Sequence, residues 1–268
     1  MKVVLFCGGL GTRLRENAGT IPKPLVNVGA RPIIWHLMRY YAHYGHKDFV
    51  LCLGYQGSMI REYFLTYNEC YSNDFTLSEG GRKIELHSTD IQDWRITFVE
   101  TGLHATIAER LLKARRYLEG ERAFLANYAD GLADIPLNTM VEDFESKNVV
   151  ASLAAVSGWQ SFHTIDATAD GFATRIKDPS DSELLVNGGY FVFRRDVFDF
   201  IEPGDDLVDR PFERLMERRL LAVFRHHGFW RAMDTFKDKI TLDRMAARGD
   251  CPWMVWEQGL GTRAISED

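Results

Sequence analysis

Short apolar runs stopped by glycine alternate along this chain with stretches whose apolar positions recur every three or four residues. Val3-Val4-Leu5-Phe6 opens the series and predicts a short strand buried on both faces. Pro32, at a favoured first helical position, then opens a predicted helix whose stripe is Ile33, Ile34, Leu37, Met38 and Tyr41. Phe49-Val50-Leu51-Cys52-Leu53 predicts a second buried strand ending at Gly54, and Met59, Ile60, Tyr63 and Phe64 the inner face of the next helix. Further strands are predicted at Ile96–Val99, Ala123–Ala126, Val149–Val156 and Tyr190–Phe193. Ile107, Leu111 and Leu112 mark another helix, and Ile240, Leu242, Met245 and Ala246 the last, with Trp253 and Trp256 packing against the body. Strand–helix alternation of this kind predicts an α/β chain with a doubly wound parallel sheet.

Two stretches break the rhythm. Between residues 68 and 94, Phe75-Thr76-Leu77 and Ile84-Glu85-Leu86 flank Gly80-Gly81, which predicts a polar hairpin inserted between core elements. It reads as a lid or as a contact between subunits. Thr164-Ile165-Asp166 and Phe172-Ala173-Thr174-Arg175-Ile176 predict a second hairpin around Asp170-Gly171.

Composition narrows the classes. A chain of 268 residues, 46% apolar, can bury one large core or two modest ones. Its net charge of -6 argues against a nucleic-acid partner, which would select a basic face. No apolar run approaches membrane-spanning length, and Met1-Lys2 leads straight into a strand without a cleavable leader. Cys7, Cys52, Cys70 and Cys251 show no Cys-x-x-Cys pairing and read as reduced thiols of a cytoplasmic protein, not as a disulfide or zinc set.

The chemistry concentrates behind the first strand, in Gly8-Gly9-Leu10-Gly11-Thr12-Arg13-Leu14. Glycines there allow a tight turn whose N–H groups approach a ligand at the carboxyl end of a strand, where open α/β sheets bind. The loop lacks the Gly-Lys-Ser/Thr ending of a P-loop, and Leu14 stands where the dinucleotide fingerprint needs a small residue. An ordinary glycine-rich turn is the competing account. Against it stands Pro22-Lys23-Pro24, whose prolines hold Lys23 in a stiff, extended segment and aim its ammonium. Arg13, Lys23 and the loop amides together suit an anion carrying several phosphates. Asp130, in Tyr128-Ala129-Asp130-Gly131, ends a central strand and is well placed for Mg²⁺. Asp234, in Trp230-Arg231-Ala232-Met233-Asp234-Thr235, is its candidate partner or else the N-cap of the helix that follows. Asn187-Gly188-Gly189 permits close approach of a ligand at a strand entrance, or is a plain tight turn.

These stretches, with Pro32-Ile33-Ile34-Trp35-His36 and Gly54-Tyr55-Gln56-Gly57, run in one order from residue 1 to about residue 257. Together they resemble the signature of the sugar-1-phosphate nucleotidylyltransferases, and within these the glucose-1-phosphate cytidylyltransferases. The resemblance implies a Rossmann-like, doubly wound, mixed but mostly parallel sheet. It implies one nucleotidyltransferase domain over residues 1–268: a nucleotide-binding half to about 135, a sugar-binding half over about 136–257 and a short tail. It further implies transfer of a nucleoside monophosphate, from CTP in the nearest group, to a sugar 1-phosphate such as glucose 1-phosphate, with loss of pyrophosphate. Arg13 and Lys23 would be catalytic, and Gly8, Gly9, Gly11, Thr12 and Arg110 would help them bind the nucleotide. Asn187, Gly188 and Lys177 would bind the sugar phosphate, and Asp130 and Asp234 would hold Mg²⁺. Homo-oligomers are implied as well.

Three departures bear on substrate. Ala108-Glu109 stands where the family has two glycines, which leaves UTP, dTTP and GTP open beside CTP. Lys177-Asp178-Pro179 places an acid where relatives carry the lysine that grips the sugar phosphate, a reversal of unit charge. Phe162-His163 replaces Phe-Gly. A different sugar or cyclitol phosphate, or a non-catalytic sugar-nucleotide-binding homologue, are the alternatives these departures raise.

Overall fold

Alternate residues of the first strand enter two different cores. Val3 and Leu5 pack with Leu37 and Tyr40, whereas Val4 and Phe6 pack with Leu111 and Phe124. A strand apolar at every position has to be covered on both faces, and this one is. The computed structural model describes residues 1–9, 21–157, 164–168, 170–177 and 184–257.

In chain order the first half contains β1 (Val3–Phe6), β2 (Asn27–Val28), β3 (Arg31–Pro32), α1 (Ile33–His43), β4 (Asp48–Leu53) and α2 (Gly57–Leu65). The hairpin β5 (Phe75–Ser78) and β6 (Lys83–Leu86) follows, then β7 (Arg95–Glu100), α3 (Ile107–Ala114), β8 (Ala123–Asn127) and β9 (Gly131–Ala133). After these come α4 (Leu137–Lys147), β10 (Ala151–Ser157), β11 (Thr164–Ala167), β12 (Ala173–Lys177) and β13 (Leu185–Arg194). The chain closes with α5 (Arg210–Glu217), β14 (Leu221–His226), β15 (Trp230–Ala232) and α6 (Phe236–Ala247).

Seven strands form the central sheet in the order β14-β10-β13-β8-β1-β4-β7. The β8-β1-β4-β7 flank is parallel throughout, and β10 is parallel to β14. Between them β13 runs antiparallel to both β8 and β10, so the sheet is mixed and mostly parallel.

Local corrections have local causes. Pro32 is the N-cap of α1 and not its first residue, because pairing with Asn27 in the β2–β3 ladder keeps it extended, at ψ 154°. The strand expected from Val149 begins two residues later, at Ala151. The insert is the expected hairpin, turning at Gly80 and Gly81 with φ 65° and 91°. Its register pairs Phe75 with Leu86 and Leu77 with Ile84, which puts all four apolar side chains on one face. At its root Asp90 accepts hydrogen bonds from Tyr67 Oη (2.6 Å), Ser72 Oγ (2.5 Å) and Trp35 Nε1 (3.2 Å), with Arg31 at 4.0 Å. Burial alone would raise the Asp90 carboxyl, but these hydrogen bonds and the Arg31 charge hold it below its ordinary value. All four cysteines are free thiols, and among the described residues no helix is long and apolar enough to cross a membrane.

Candidate active site

The ends of β1, β4 and β8 lie side by side, and the candidate residues collect where these parallel strands stop. Gly8 and Gly9 follow β1, and the Gly8 carbonyl accepts from Tyr55 N at 3.4 Å. Gly11, Thr12 and Arg13 lie outside the described residues, as do Phe162, His163 and Asp178.

Lys23 opens a 3-10 turn, Lys23–Leu25, closed by a hydrogen bond from Leu25 N to the Pro22 carbonyl (2.8 Å). Only Pro22 is extended; the expected extended segment becomes a turn at Lys23 because Pro24 suits a first helical turn, where its missing N–H costs nothing. The stiffness that matters is retained. From this turn the ammonium reaches Asp130 Oδ2 at 2.9 Å and Asp234 Oδ1 at 2.6 Å.

Two different devices deliver those carboxylates. Asp130 follows Ala129, which sits in the left-handed region at φ 60°, its N–H held by Asn127 Oδ1 at 2.7 Å. A non-glycine residue in that region costs energy that the Asn127 bond helps offset. Asp234 arrives on β15, which pairs antiparallel with β9 so that Ala232 faces Gly131 and Met233 N donates to the Asp130 carbonyl (2.8 Å). The turn before β15 is pinned by His226 Nε2 against Asp134 Oδ1, 2.7 Å. The N-cap alternative for Asp234 fails. Thr235 is the N-cap of α6, in a capping box with Asp238, and this leaves the Asp234 carboxylate to Lys23.

Burial would lower the Lys23 ammonium, yet the two carboxylates outweigh it and hold its pKa above the ordinary value. Asp130 is raised, because burial and the nearby Asp234 charge exceed the pull of the ammonium. Among the described residues no group of three or more His, Cys, Asp or Glu could hold a metal ion. The pair Asp130 and Asp234 nevertheless fits Mg²⁺, which takes one or two carboxylates and fills its remaining positions with phosphate oxygens and water.

Arg110, expected beside the nucleotide, is held by protein groups. It is 3% exposed, and its guanidinium turns inward. Nη1 donates to Thr101 Oγ1 (2.6 Å), Gly102 O (3.0 Å) and Leu53 O (3.3 Å); Nη2 donates to Gly8 O (3.0 Å) and Leu103 O (3.3 Å). It therefore ties together the segments that follow β1, β4 and β7. A Cβ on Gly8 would lie 1.9 Å from Arg110 Nη1, and one on Gly54 would lie 2.8 Å from it. Beside it, Ala108 is fully buried and Glu109 completes the capping box of α3 with Thr106.

The glycines of Asn187-Gly188-Gly189 lie inside β13 and not at its entrance. They form an irregularity where Leu153 pairs with Phe191 but Ala155 pairs with Asn187. Gly189 takes φ 76°, and a Cβ there would meet the Tyr128 ring at 2.9 Å. Asn187 accepts from Gly189 N (2.9 Å) and donates to Tyr128 Oη (3.2 Å). Trp230 Nε1 donates to the Gly188 carbonyl at 2.8 Å. Tyr128 and Trp230 thus flank this segment, and sequence reasoning passed over both, although each opens a motif quoted for its aspartate. Lys177 is the last residue of β12, opposite Thr164.

Residues 2–238 match the model of a family described as nucleotidyl transferase. The chain belongs to the nucleotidyl transferase family. It is 38% identical to a probable glucose-1-phosphate cytidylyltransferase of Bacillus subtilis, over 96% of this chain and all of that one. To the glucose-1-phosphate cytidylyltransferase of Salmonella typhimurium it is 34% identical over the same shares. In fold it is similar to a crystal structure of a putative glucose-1-phosphate thymidylyltransferase from Bacillus anthracis, with TM-score 0.66 and 16% identity over 92% of this chain and 95% of that one. HddC from Yersinia pseudotuberculosis follows with TM-score 0.64 and 17% identity, covering 91% and 99%. As in the family, the substrates are a nucleoside triphosphate and a sugar 1-phosphate.

Proposed function

We propose that this protein transfers CMP from CTP to glucose 1-phosphate in the cytoplasm, releasing pyrophosphate. The convergence of Lys23, Asp130 and Asp234 from three remote segments carries the reading, and the relatives' activities supply the base and the sugar. The acceptor is already an anion, so its phosphate oxygen needs no base to attack the α-phosphorus, and catalysis reduces to positioning and charge neutralisation. Lys23 places its charge on the α-phosphate, where negative charge accumulates as the bond to pyrophosphate breaks. Gly8, Gly9, Gly11 and Thr12 cradle the phosphates with backbone amides, and Arg13 steadies the leaving pyrophosphate. Asp130 and Asp234 hold Mg²⁺, which when bound supplies Lewis-acid neutralisation of the nucleotide oxygens. Asn187, Gly188 and Lys177 bind the sugar phosphate. Arg110 acts through the loop it braces.

Pyrophosphate release with Mg²⁺ tests the reading, across the nucleoside triphosphates, each paired with a panel of sugar and cyclitol 1-phosphates. Turnover confined to CTP and glucose 1-phosphate is expected. Turnover with another pair re-assigns the substrate, and silence with nucleotide bound replaces the enzyme with a sensor.

The same reading includes a homo-oligomer with a second copy seated on the β5–β6 face. Phe75, Leu77 and Ile84 are 41%, 57% and 55% exposed there, and a two-stranded hairpin with an uncovered apolar face is marginal alone. Glu79, Arg82, Lys83 and Glu85 give the hairpin both signs of charge, as a self-matching contact needs. Leu77→Glu should reduce the assembly to a smaller species in sedimentation; an unchanged mass removes the hairpin from the interface.

A further inference from the structure

Five buried side-chain polar atoms find no hydrogen-bond partner among the described residues, and three of them belong to residues lining one cavity. The three are Arg39 Nε, Trp94 Nε1 and Asp90 Oδ1. The cavity, of about 380 Å³, lies beside the last turn of α1 and the segments that lead into β4 and β7. It is therefore at the amino edge of the parallel strands, the opposite end from Lys23 and its carboxylates.

An unpaired buried polar atom is costly, and folded chains keep few of them. Here the surroundings hold each residue in place and leave one of its polar atoms over. Asp90, 6% exposed, gives Oδ2 to Tyr67, Ser72 and Trp35, and its other oxygen has no donor. Arg39 donates from Nη1 to the Asp90 carbonyl (3.2 Å) and lies over the rings of Trp35 and Trp256, at 5.7 and 5.6 Å, so Nε is unused. Trp94 packs on Phe49 with ring centroids 5.2 Å apart, and its N–H is unpaired.

Charge and size narrow what such a cavity takes. Arg39 and Asp90 bring one charge of each sign, and Lys47 is paired with Asp93. Burial and the Arg39 charge lower the His43 pKa, which leaves that ring neutral. A lining balanced in this way does not call for a phosphate. It offers two N–H donors, one carboxylate acceptor and the indoles of Trp94 and Trp256. A ring bearing several hydroxyls matches that set, because each hydroxyl both donates and accepts while the C–H faces suit an indole. One water takes about 30 Å³, far less than the space present. Small-molecule pockets start at roughly 300 Å³, so the cavity suits one ring better than a whole nucleotide.

We propose that this cavity is a sugar site separate from the transfer centre, and that it seats a hexose ring on Asp90, Arg39 and Trp94. Asp90 also anchors the root of the β5–β6 hairpin through Tyr67 and Ser72, so a bound ring completes the bonding of the residue on which that root is built. A hexose would sit there whether or not the chain transfers CMP.

The test is nuclear magnetic resonance of the protein labelled at its tryptophan indole nitrogens, with Trp94→Phe and Trp256→Phe assigning those two signals by deletion. Methyl α-glucoside, which carries no phosphate, should shift the Trp94 and Trp256 signals saturably. Trp94→Phe keeps an aromatic ring and loses the N–H, so half-saturation read at Trp256 should need about fivefold more sugar, the effect of one lost hydrogen bond. Arg39→Lys, which keeps the charge and loses Nε, should do the same at Trp94 and takes over if Trp94→Phe does not fold. Glucose 1-phosphate, as a second probe, separates two sources of the ring: tighter binding than the glucoside makes a sugar phosphate the occupant, and equal or weaker binding a free sugar. No saturable shift at Trp94 with either probe overturns the proposal. A shift confined to Trp230 also overturns it, since that indole stands beside Gly188. So does an equal Trp94 shift with inorganic phosphate, which would make the cavity an anion site, or unchanged half-saturation in the variants.

Discussion

Two cations lie within the carboxyl edge of the same sheet, and they answer to different partners. Lys23 meets two carboxylates, side chains that can be offered to a metal or left to water. Arg110 meets four main-chain carbonyls and one hydroxyl, groups that belong to the ends of three strands. A cation neutralised by side-chain charge can be exchanged for another cation. A cation satisfied by backbone is part of the scaffold, because removing it orphans buried acceptors. Charge and position in the sequence would have given both residues the same role; the acceptors separate them.

Substitutions can sharpen or break that contrast. Lys23→Ala should lower turnover by roughly two to three powers of ten, the usual effect of deleting one transition-state stabiliser, with a melting temperature near wild type. Unchanged turnover would take Lys23 out of the mechanism. Arg110→Met should do the opposite: lose about 3 kcal/mol of stability in urea unfolding while each folded molecule keeps most of its turnover. A stable Arg110→Met protein with abolished nucleotide binding would make Arg110 a ligand after all.

A third buried basic group extends the comparison. His36 sits opposite the Val28 carbonyl (2.9 Å) on one ring nitrogen and accepts from Trp253 Nε1 (3.3 Å) on the other, a neutral arrangement. Burial lowers its pKa from 6.5 to about 4. The unfolded chain binds more protons between those values, so stability should fall as pH drops from 6.5 to 4, by up to about 3 kcal/mol. Urea unfolding at pH 7.5, 5.5 and 4.5 should show the loss, and a His36→Gln variant should lessen it, leaving the part that His46, also lowered to about 4, contributes. The smallest effect belongs to Thr235→Ala, which removes the capping box beside Asp234 and should cost about 1 kcal/mol. If turnover also falls, the cap positions the carboxylate as well as the helix.

Much of the sheet was legible because strands such as Val3–Phe6 and Phe49–Leu53 are apolar runs with glycine one or two residues beyond, whereas β14, which ends in Arg225 and His226, gave no such run. Lys23, Asp130 and Asp234 were legible as residues through their motifs. Their contact was not, since it depends on β9 pairing with β15 across about a hundred residues, a register that no local pattern encodes. The bracing contacts of Arg110 left a trace that the sequence did contain. Gly8 and Gly54 both lie where a Cβ would collide with its guanidinium, so two glycines ending two strands marked a side chain filling their space, not only room for a ligand. Asn187 was ambiguous between ligand and turn, and its partners, Gly189 N within the segment and Tyr128 Oη from the chain after β8, could not be read from local spacing.

The lone antiparallel strand of the sheet has a consequence for synthesis. β8 pairs with β1 on one side and with β13 on the other. Until residues 185–194 leave the ribosome, Ala123–Asn127, buried at every position in the finished sheet, is an open edge with its peptide groups unpaired. Some sixty residues must be made while that edge waits. An edge of this kind recruits foreign strands, so the period between translating β8 and translating β13 is when a nascent chain is most exposed to aggregation, and when a chaperone has most to protect.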